Sequence, residues 1–218
     1  MVDIFKEVDE DLRRAQMQSL WSKYGMYVIS LLVGIVLAVG GYQYWKYHTK
    51  NVQERESAAF SSAIEMMESG DRAGALAAFD DLRRSGSTGY RGLAGLREAS
   101  IRIEGGELEQ GIRIYEAVAA DNSVNDVLAE YAELLAVSWL IQTGAAEDLT
   151  GRLDRLAKPG APWASLAEEL RALLAIGNGN EQAARERFEA LAANEDVPPG
   201  LRQRAQELST VLGSEVSR

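Results

Sequence analysis

The sequence predicts an all-α protein in which a single N-terminal transmembrane helix precedes a stack of helical hairpins. Three observations support this fold class. An uncharged apolar stretch of 22 residues lies at 24–45. Beyond it the strong helix formers Ala, Leu, Glu and Arg dominate, and alternating strand patterns are not visible. A pattern of glycine and apolar residues then recurs four times at a nearly constant period.

The apolar stretch 24–45 predicts a membrane anchor. A helix needs about 20 apolar residues to cross the hydrocarbon core of a bilayer. Aromatic rings gather at both ends of the stretch, where the two membrane–water interfaces favour them. A cleavable signal would have a short basic leader and an apolar core of about 7–15 residues, whereas residues 1–23 contain five acids. We therefore expect an uncleaved anchor rather than an export signal or a buried soluble helix.

Basic residues on either side of the anchor give its expected orientation. Four precede the anchor and three follow it closely: Lys6, Arg13, Arg14 and Lys23, then Lys46, Lys50 and Arg55. With the amino terminus, the preceding charges favour a cytoplasmic N-terminus in a single-pass protein of the inner (cytoplasmic) membrane. The C-terminal domain is then expected in the periplasm.

One face of the predicted transmembrane helix carries small side chains, which recur at a spacing of four and then three residues: Ser30, Gly34, Ala38 and Gly41. Small residues at this spacing let a second helix approach closely. These four residues, the small-residue stripe, are candidates for packing against a membrane partner. The alternative is that glycine and alanine are simply common in membrane helices.

The region after the anchor is expected to remain helical, because no glycine or proline occurs between Tyr42 and Ser69. Two adjacent prolines at 198–199 interrupt the chain near its end, and 200–212 is expected to form a terminal capping helix. The predicted organisation is a cytoplasmic segment (1–23), the transmembrane helix (24–45), a helical stalk (46–58) and a repeat domain (59–214).

Four glycines that each end a helical segment define the repeat: Gly70, Gly106, Gly144 and Gly179. Five residues after each glycine stands Ala75, Gly111, Leu149 or Ala184. Four residues later comes Phe79, Tyr115, Leu153 or Phe188, and three later Leu82, Val118, Leu156 or Leu191. Apolar residues at these offsets share one helix face. Their recurrence at spacings of 36, 38 and 35 residues predicts helix–turn–helix units that stack to bury those faces.

The spacing of Ala75 and Phe79 after the Gly70-Asp71 turn resembles the second helix of a tetratricopeptide repeat. Ala63 stands where that family prefers glycine in the first helix. The resemblance implies that the hairpins form a tetratricopeptide-like stack. The predicted fold class is therefore all-α, with a single N-terminal transmembrane helix followed by this tetratricopeptide-like stack.

Nearly the whole chain shares a further arrangement with a bacterial family. An acidic N-terminal segment leads through Trp21-Ser-Lys-Tyr-Gly25 to one membrane span, which ends at Gly40-Gly41-Tyr-x-x-Trp45 before the repeats. This arrangement is similar to the YfgM-like family, ancillary subunits of the SecYEG translocon. The resemblance implies a periplasmic repeat domain that links the Sec translocon to periplasmic chaperones and newly exported proteins. It carries over no catalytic residue.

The composition excludes several classes of function. The chain has no cysteine, and its single histidine, His48, lies beside the membrane boundary. Thiolate chemistry and Ser–His–Asp catalysis in the repeat domain are therefore excluded. No Gly-rich phosphate loop or metal-ligand cluster is visible, so we expect no enzyme, no cofactor, no metal and no small-molecule substrate.

Charge narrows the choice of partners. Residues 50–218 contain 28 acidic and 18 basic side chains, which argues against nucleic acid as a partner. Membrane lipid is expected as a partner of the apolar helix. Three acidic doublets are interpreted as solvated helix faces rather than catalytic pairs: Asp80-Asp81, Glu147-Asp148 and Glu168-Glu169. The basic pair Arg83-Arg84 is interpreted as complementing a helix dipole.

Four aromatic residues are candidates for a protein-binding surface: Tyr90, Tyr131, Trp139 and Trp163. Packing in the core is the alternative role for such residues. The sequence thus favours a membrane-anchored, non-catalytic adaptor between the Sec translocon and periplasmic chaperones or exported proteins. A structural or regulatory scaffold that restrains an envelope signalling component is the competing interpretation.

Overall fold

A computed structural model describes residues 3–144 and 149–215, with the backbone alone at residues 3–20, 28 and 214–215. All regular secondary structure in these residues is α-helical, as the sequence predicts. The helices are α1 (Asp3–Glu68), α2 (Arg72–Ser85), α3 (Thr88–Glu104), α4 (Leu108–Ala120), α5 (Asp126–Thr143), α6 (Thr150–Leu156), α7 (Ala164–Gly177), α8 (Glu181–Ala193) and α9 (Pro199–Glu215). Residues 145–148, which the predicted repeat domain includes, lie outside the described ranges.

The chain divides into two compact units, Met1–Glu54 and Arg55–Arg218. In its described part, the first unit is helix α1 up to Glu54. Large apolar side chains such as Val36 and Leu37 are exposed there, at 68% and 70% of their surface. By length and composition, α1 is the one helix among the described residues that is long and apolar enough to cross a membrane.

The four predicted glycine turns are present in the second unit. Gly70, Gly106, Gly144 and Gly179 have φ values of 87°, 86°, 66° and 74°, the left-handed conformation that glycine adopts without steric penalty. At the first turn, the N–H of Asp71 donates to the carbonyl of Met66 at 2.8 Å, which satisfies a free carbonyl at the helix end. The Asp71 carboxylate accepts from the N–H of Gly74 at 2.9 Å and caps α2.

The twelve repeat positions that follow these turns are all buried. They are Ala75, Gly111, Leu149, Ala184, Phe79, Tyr115, Leu153, Phe188, Leu82, Val118, Leu156 and Leu191. Phe79, Leu153 and Phe188 have no exposed surface at all. The predicted helix face is thus the face on which neighbouring helices pack.

Stacking follows the order of the chain. From α2 onward each helix packs against the next, and α5 also contacts α3 and α7. The core is a succession of apolar clusters, from one around Phe79 and Ala63 to one around Phe188 and Leu201. Helix α9 starts at Pro199, covers the last hairpin and confirms the predicted capping helix.

The third hairpin departs from the regular repeat because its second helix is short. Helix α6 has 7 residues, whereas α2, α4 and α8 have 14, 13 and 13. The chain then passes through Pro159 and Gly160, where φ is 81°, so the helix does not continue. Leu153 and Leu156 are nevertheless buried, and the short helix still closes its hairpin.

Candidate protein-binding groove

A groove of about 500 Å³ opens on the repeat domain between the first helices of successive hairpins. We call it the apolar groove. Its lining residues are Phe60 of α1, then Leu93, Leu96, Arg97 and Ser100 of α3, Tyr115 of α4, and Leu128, Tyr131 and Leu135 of α5. All of these helices belong to the second unit or reach into it, so the groove lies within one compact body.

Helical periodicity explains why these residues share a surface. The α3 residues are spaced by three, one and three positions and therefore occupy one helix face. Leu128, Tyr131 and Leu135 do the same on α5. Leu93 is 41% exposed, which is unusual for a large apolar side chain outside helix α1 in the described residues. Exposed apolar surface inside a concavity is typical of a site that binds another molecule.

Two of the predicted aromatic residues form a pair at the groove. Tyr131 lines it, and the ring of Trp163 lies 4.8 Å from the ring of Tyr131, between centroids. The indole N–H of Trp163 donates to the carbonyl of Val127 at 2.8 Å, which joins the segment before α7 to α5. Both rings are only partly buried. Trp163 thereby supports Tyr131 in a fixed orientation.

The other two predicted residues lie in different surroundings. The Tyr90 ring is 5.9 Å from the ring of Phe60, so it borders the groove through a lining residue. Trp139 instead packs against the core cluster that contains Ala99 and Tyr115, and it is not among the lining residues. The four candidates therefore do not form one continuous surface, and of the four only Tyr131 lines the groove.

Arg97 is the single charged side chain among the described lining residues, and it is exposed. It makes no ion pair or hydrogen bond with any residue in the described ranges. Burial raises the pKa of the neighbouring Tyr115 hydroxyl, while a hydrogen bond with Ser100 and the charge of Arg97 act in the opposite direction. The apolar groove therefore combines apolar walls with one free cation.

A buried ion-pair network joins α3 to α2. Glu98 is 1% exposed, and its oxygens accept hydrogen bonds from Arg83 Nε at 2.7 Å and from Arg102 Nε at 2.9 Å. Arg83 also pairs with Asp80, and Arg102 with Glu107 at 2.8 Å. Burial opposes the charge of both arginines, but these carboxylates outweigh it and raise the pKa of each. Besides lying in the last turn of α2, Arg83 therefore holds a buried carboxylate.

The acidic doublets that the structure describes contain ion-paired carboxylates. On α7, Glu168 accepts from Arg187 at 2.9 Å while Glu169 accepts from Arg204 at 3.1 Å, so the two carboxylates have separate partners. The doublet at 147–148 lies outside the described residues. Within the described ranges, no group of three or more metal-ligating side chains could hold an ion.

The small-residue stripe lies on α1 in the first unit. Its members, Ser30, Gly34, Ala38 and Gly41, are all exposed. Apart from its chain neighbours and the backbone of its own helical turns, a Cβ added at Gly34 or Gly41 would meet no atom within 4 Å. Nearer the start of the apolar stretch, a Cβ at Gly25 would lie 3.3 Å from the ring of Trp21, so that glycine is covered by its own helix. The stripe is thus an open surface of the helix.

Comparison with known proteins adds one match. The profile of the tetratricopeptide repeat-like domain family matches residues 18–208, which include the four glycine turns and the apolar groove. No curated protein and no solved structure shows significant similarity to the chain. Domains of this family are generally non-catalytic scaffolds that bind proteins.

Proposed function

Because the chain belongs to the tetratricopeptide repeat-like domain family, we propose that it is a membrane-anchored, non-catalytic adaptor that binds proteins in its apolar groove. The observation that carries this proposal is the groove itself. Leu93 and Tyr131 expose apolar surface there, and the wall is built by packed helices rather than loops. Rigid walls lower the entropic cost of ordering a binding site.

Membrane anchoring supports the adaptor role because it fixes where binding takes place. The apolar stretch in α1 has the length and composition to cross a bilayer. We propose that the N-terminus lies in the cytoplasm and the repeat domain in the periplasm, since more basic residues precede the stretch than follow it closely.

We further propose that the anchor docks on the Sec translocon and that the groove receives periplasmic chaperones or newly exported proteins. The similarity to YfgM-like proteins and the lack of recognisable catalytic motifs in the sequence support this choice. Restraint of an envelope signalling component by the same surfaces is the second candidate.

A site-specific photo-crosslinking experiment in intact cells tests the adaptor proposal. A photoreactive side chain at Tyr131 is expected to capture chaperones or exported chains, and one at Gly34 a translocon subunit. The control is Val211, which is 55% exposed on α9 and outside the groove. Yields at Tyr131 no higher than at Val211 would contradict protein binding in the groove. Capture of a signalling component at both test sites would favour the second candidate.

Replacing Gly34 with leucine is expected to reduce co-purification of the membrane partner severalfold. The added side chain would hold a neighbouring helix away from the small-residue stripe. Gly40→Leu is the matched control because residue 40 lies about 240° around the helix from residue 34. Recovery of the partner from gently solubilised membranes gives the measurement, and helical circular dichroism checks that the repeats remain folded. Equal recovery with both variants would exclude docking through the stripe.

A further inference from the structure

We propose that the apolar groove selects an extended peptide segment in which an aspartate or glutamate is flanked by apolar residues, and that Arg97 binds its carboxylate. This inference rests on the proposed function and adds the chemical class of the bound segment. Its basis is one guanidinium group, free of ion pairs in the described residues, among lining residues that are mostly apolar or aromatic.

The charge of Arg97 is free to bind a partner. Most arginines of the repeat domain are held by carboxylates of the same chain, as Arg152 is by Glu133 and Arg204 by Glu169. Arg97 has no such partner among the described residues, although its domain contains more acids than bases. A guanidinium group can bind a carboxylate through two parallel hydrogen bonds, which is a strong and oriented contact.

The surroundings of Arg97 determine what must lie beside that carboxylate. Along α3, Leu93 precedes it by one turn, and the remaining walls present Phe60 on one side and Tyr131 and Leu135 on the other. A bound acid therefore has apolar surface in both directions. This arrangement favours an internal acidic residue between apolar neighbours rather than the end of a chain.

The length and periodicity of the segment follow from helix packing. Adjacent helices lie about 8–10 Å apart, so crossing three of them covers roughly 20 Å. An extended strand rises about 3.3 Å per residue, which gives about six residues in the groove. Alternate side chains of such a strand point the same way. The acid and the residues two positions before and after it would therefore face the groove together.

The acidic charge of the protein limits how many acids the segment can carry. Glu104 lies one turn beyond Ser100 and accepts its hydroxyl hydrogen bond at 3.1 Å, so a second carboxylate at that end would be repelled. The repeat region as a whole is acidic and repels a polyacidic stretch. We therefore expect selection of a single acid within an apolar segment.

Matched peptides test this inference on the full-length protein in detergent micelles. Each fluorescein-labelled peptide has about seven residues and leucines two positions on either side of a central glutamate, glutamine or lysine. Its ends are blocked, and a fourth peptide has central glutamine with a free C-terminal carboxylate. By fluorescence anisotropy, the glutamate peptide is expected to bind about tenfold more tightly than the glutamine peptide.

Variants at Arg97 locate the effect. Arg97→Gln is expected to abolish the preference for glutamate, and Arg97→Glu to transfer it to the lysine peptide. The control Arg113→Gln removes an exposed arginine outside the groove and is expected to leave the preference unchanged. Circular dichroism verifies that each variant is folded.

Three results would overturn the inference: equal binding of the glutamate and glutamine peptides, a preference that persists in Arg97→Gln, or tightest binding of the peptide with the free C-terminal carboxylate. Suppose one of these results is found but Arg97→Gln still gives photo-crosslinks at Tyr131. The adaptor function would then stand, and only the acidic selectivity would be refuted. If the wild-type protein gave neither crosslinks at Tyr131 nor peptide binding, both the adaptor function and the acidic selectivity would be refuted.

Discussion

Replacing Phe79 with alanine is expected to lower the free energy of unfolding of the repeat domain by about 3–5 kcal/mol. The Phe79 side chain is fully buried, and its ring meets the ring of Phe60 edge to face at 5.3 Å between centroids. It also belongs to the apolar cluster that joins Ala63 of α1 to Ala94 of α3. Alanine would leave a cavity between three helices that are too well packed to collapse into it.

Urea unfolding of the full-length protein, followed by helical circular dichroism, measures this effect. Val211→Ala is the control because that side chain is 55% exposed, and its effect is expected to stay within about 0.5 kcal/mol. Because the described helices from α2 onward pack mainly against their neighbours in the chain, amide exchange should accelerate in α2 and α3 more than in α8 and α9. A loss below about 1 kcal/mol, or a uniform change in exchange, would contradict the packing described here.

The repeat could be predicted because its features are local. A left-handed turn can be recognised in the sequence by its glycine, because other residues are sterically disfavoured in that conformation. The offsets from Gly70 to Ala75 and Phe79 are likewise fixed by the turn and by one helical face. Burial of all twelve positions follows from these two rules, without knowledge of how the hairpins stack.

The distance between helices was not predictable from the same pattern. Gly111 and Leu149 occupy the same repeat position, yet a Cβ on Gly111 would lie 2.8 Å from the carbonyl oxygen of Ala99. Leu149 is 2% exposed and fills the corresponding space in the third hairpin. Sequence periodicity identifies a position that faces a neighbour, whereas the backbone separation at that position depends on the assembled stack.

The apolar groove was missed for a related reason. Leu93 has the residue type and helical spacing of a core position, and only the assembled helices leave it 41% exposed. Tyr131 and Trp163 were candidates because amphipathic rings favour binding surfaces, with core packing as the alternative, and their role in binding stays a prediction. The role of Arg97 required knowing which of the arginines remain unpaired, and ion pairs between helices leave no regular spacing in the sequence.

The buried carboxylate of Glu98 was also invisible in the sequence, and its removal gives the second large expected effect. Glu98→Gln is expected to lower the free energy of unfolding by about 2–3 kcal/mol. The amide would direct N–H groups at a guanidinium donor, because both oxygens of Glu98 now accept from Arg83 and Arg102. The loss stays below that of an isolated buried pair since each arginine keeps another carboxylate, Asp80 or Glu107.

Urea unfolding again measures the loss, with Glu107→Gln as the control. The Glu107 side chain pairs with the same Arg102 but is 46% exposed, so its removal is expected to cost less than about 1 kcal/mol. A double-mutant cycle of Glu98→Gln with Arg83→Gln should show a coupling energy of about 1–2 kcal/mol, since the two groups touch. Additive losses would mean that Glu98 acts on stability without Arg83, and equal losses for Glu98→Gln and Glu107→Gln would mean that burial of the carboxylate is not what matters.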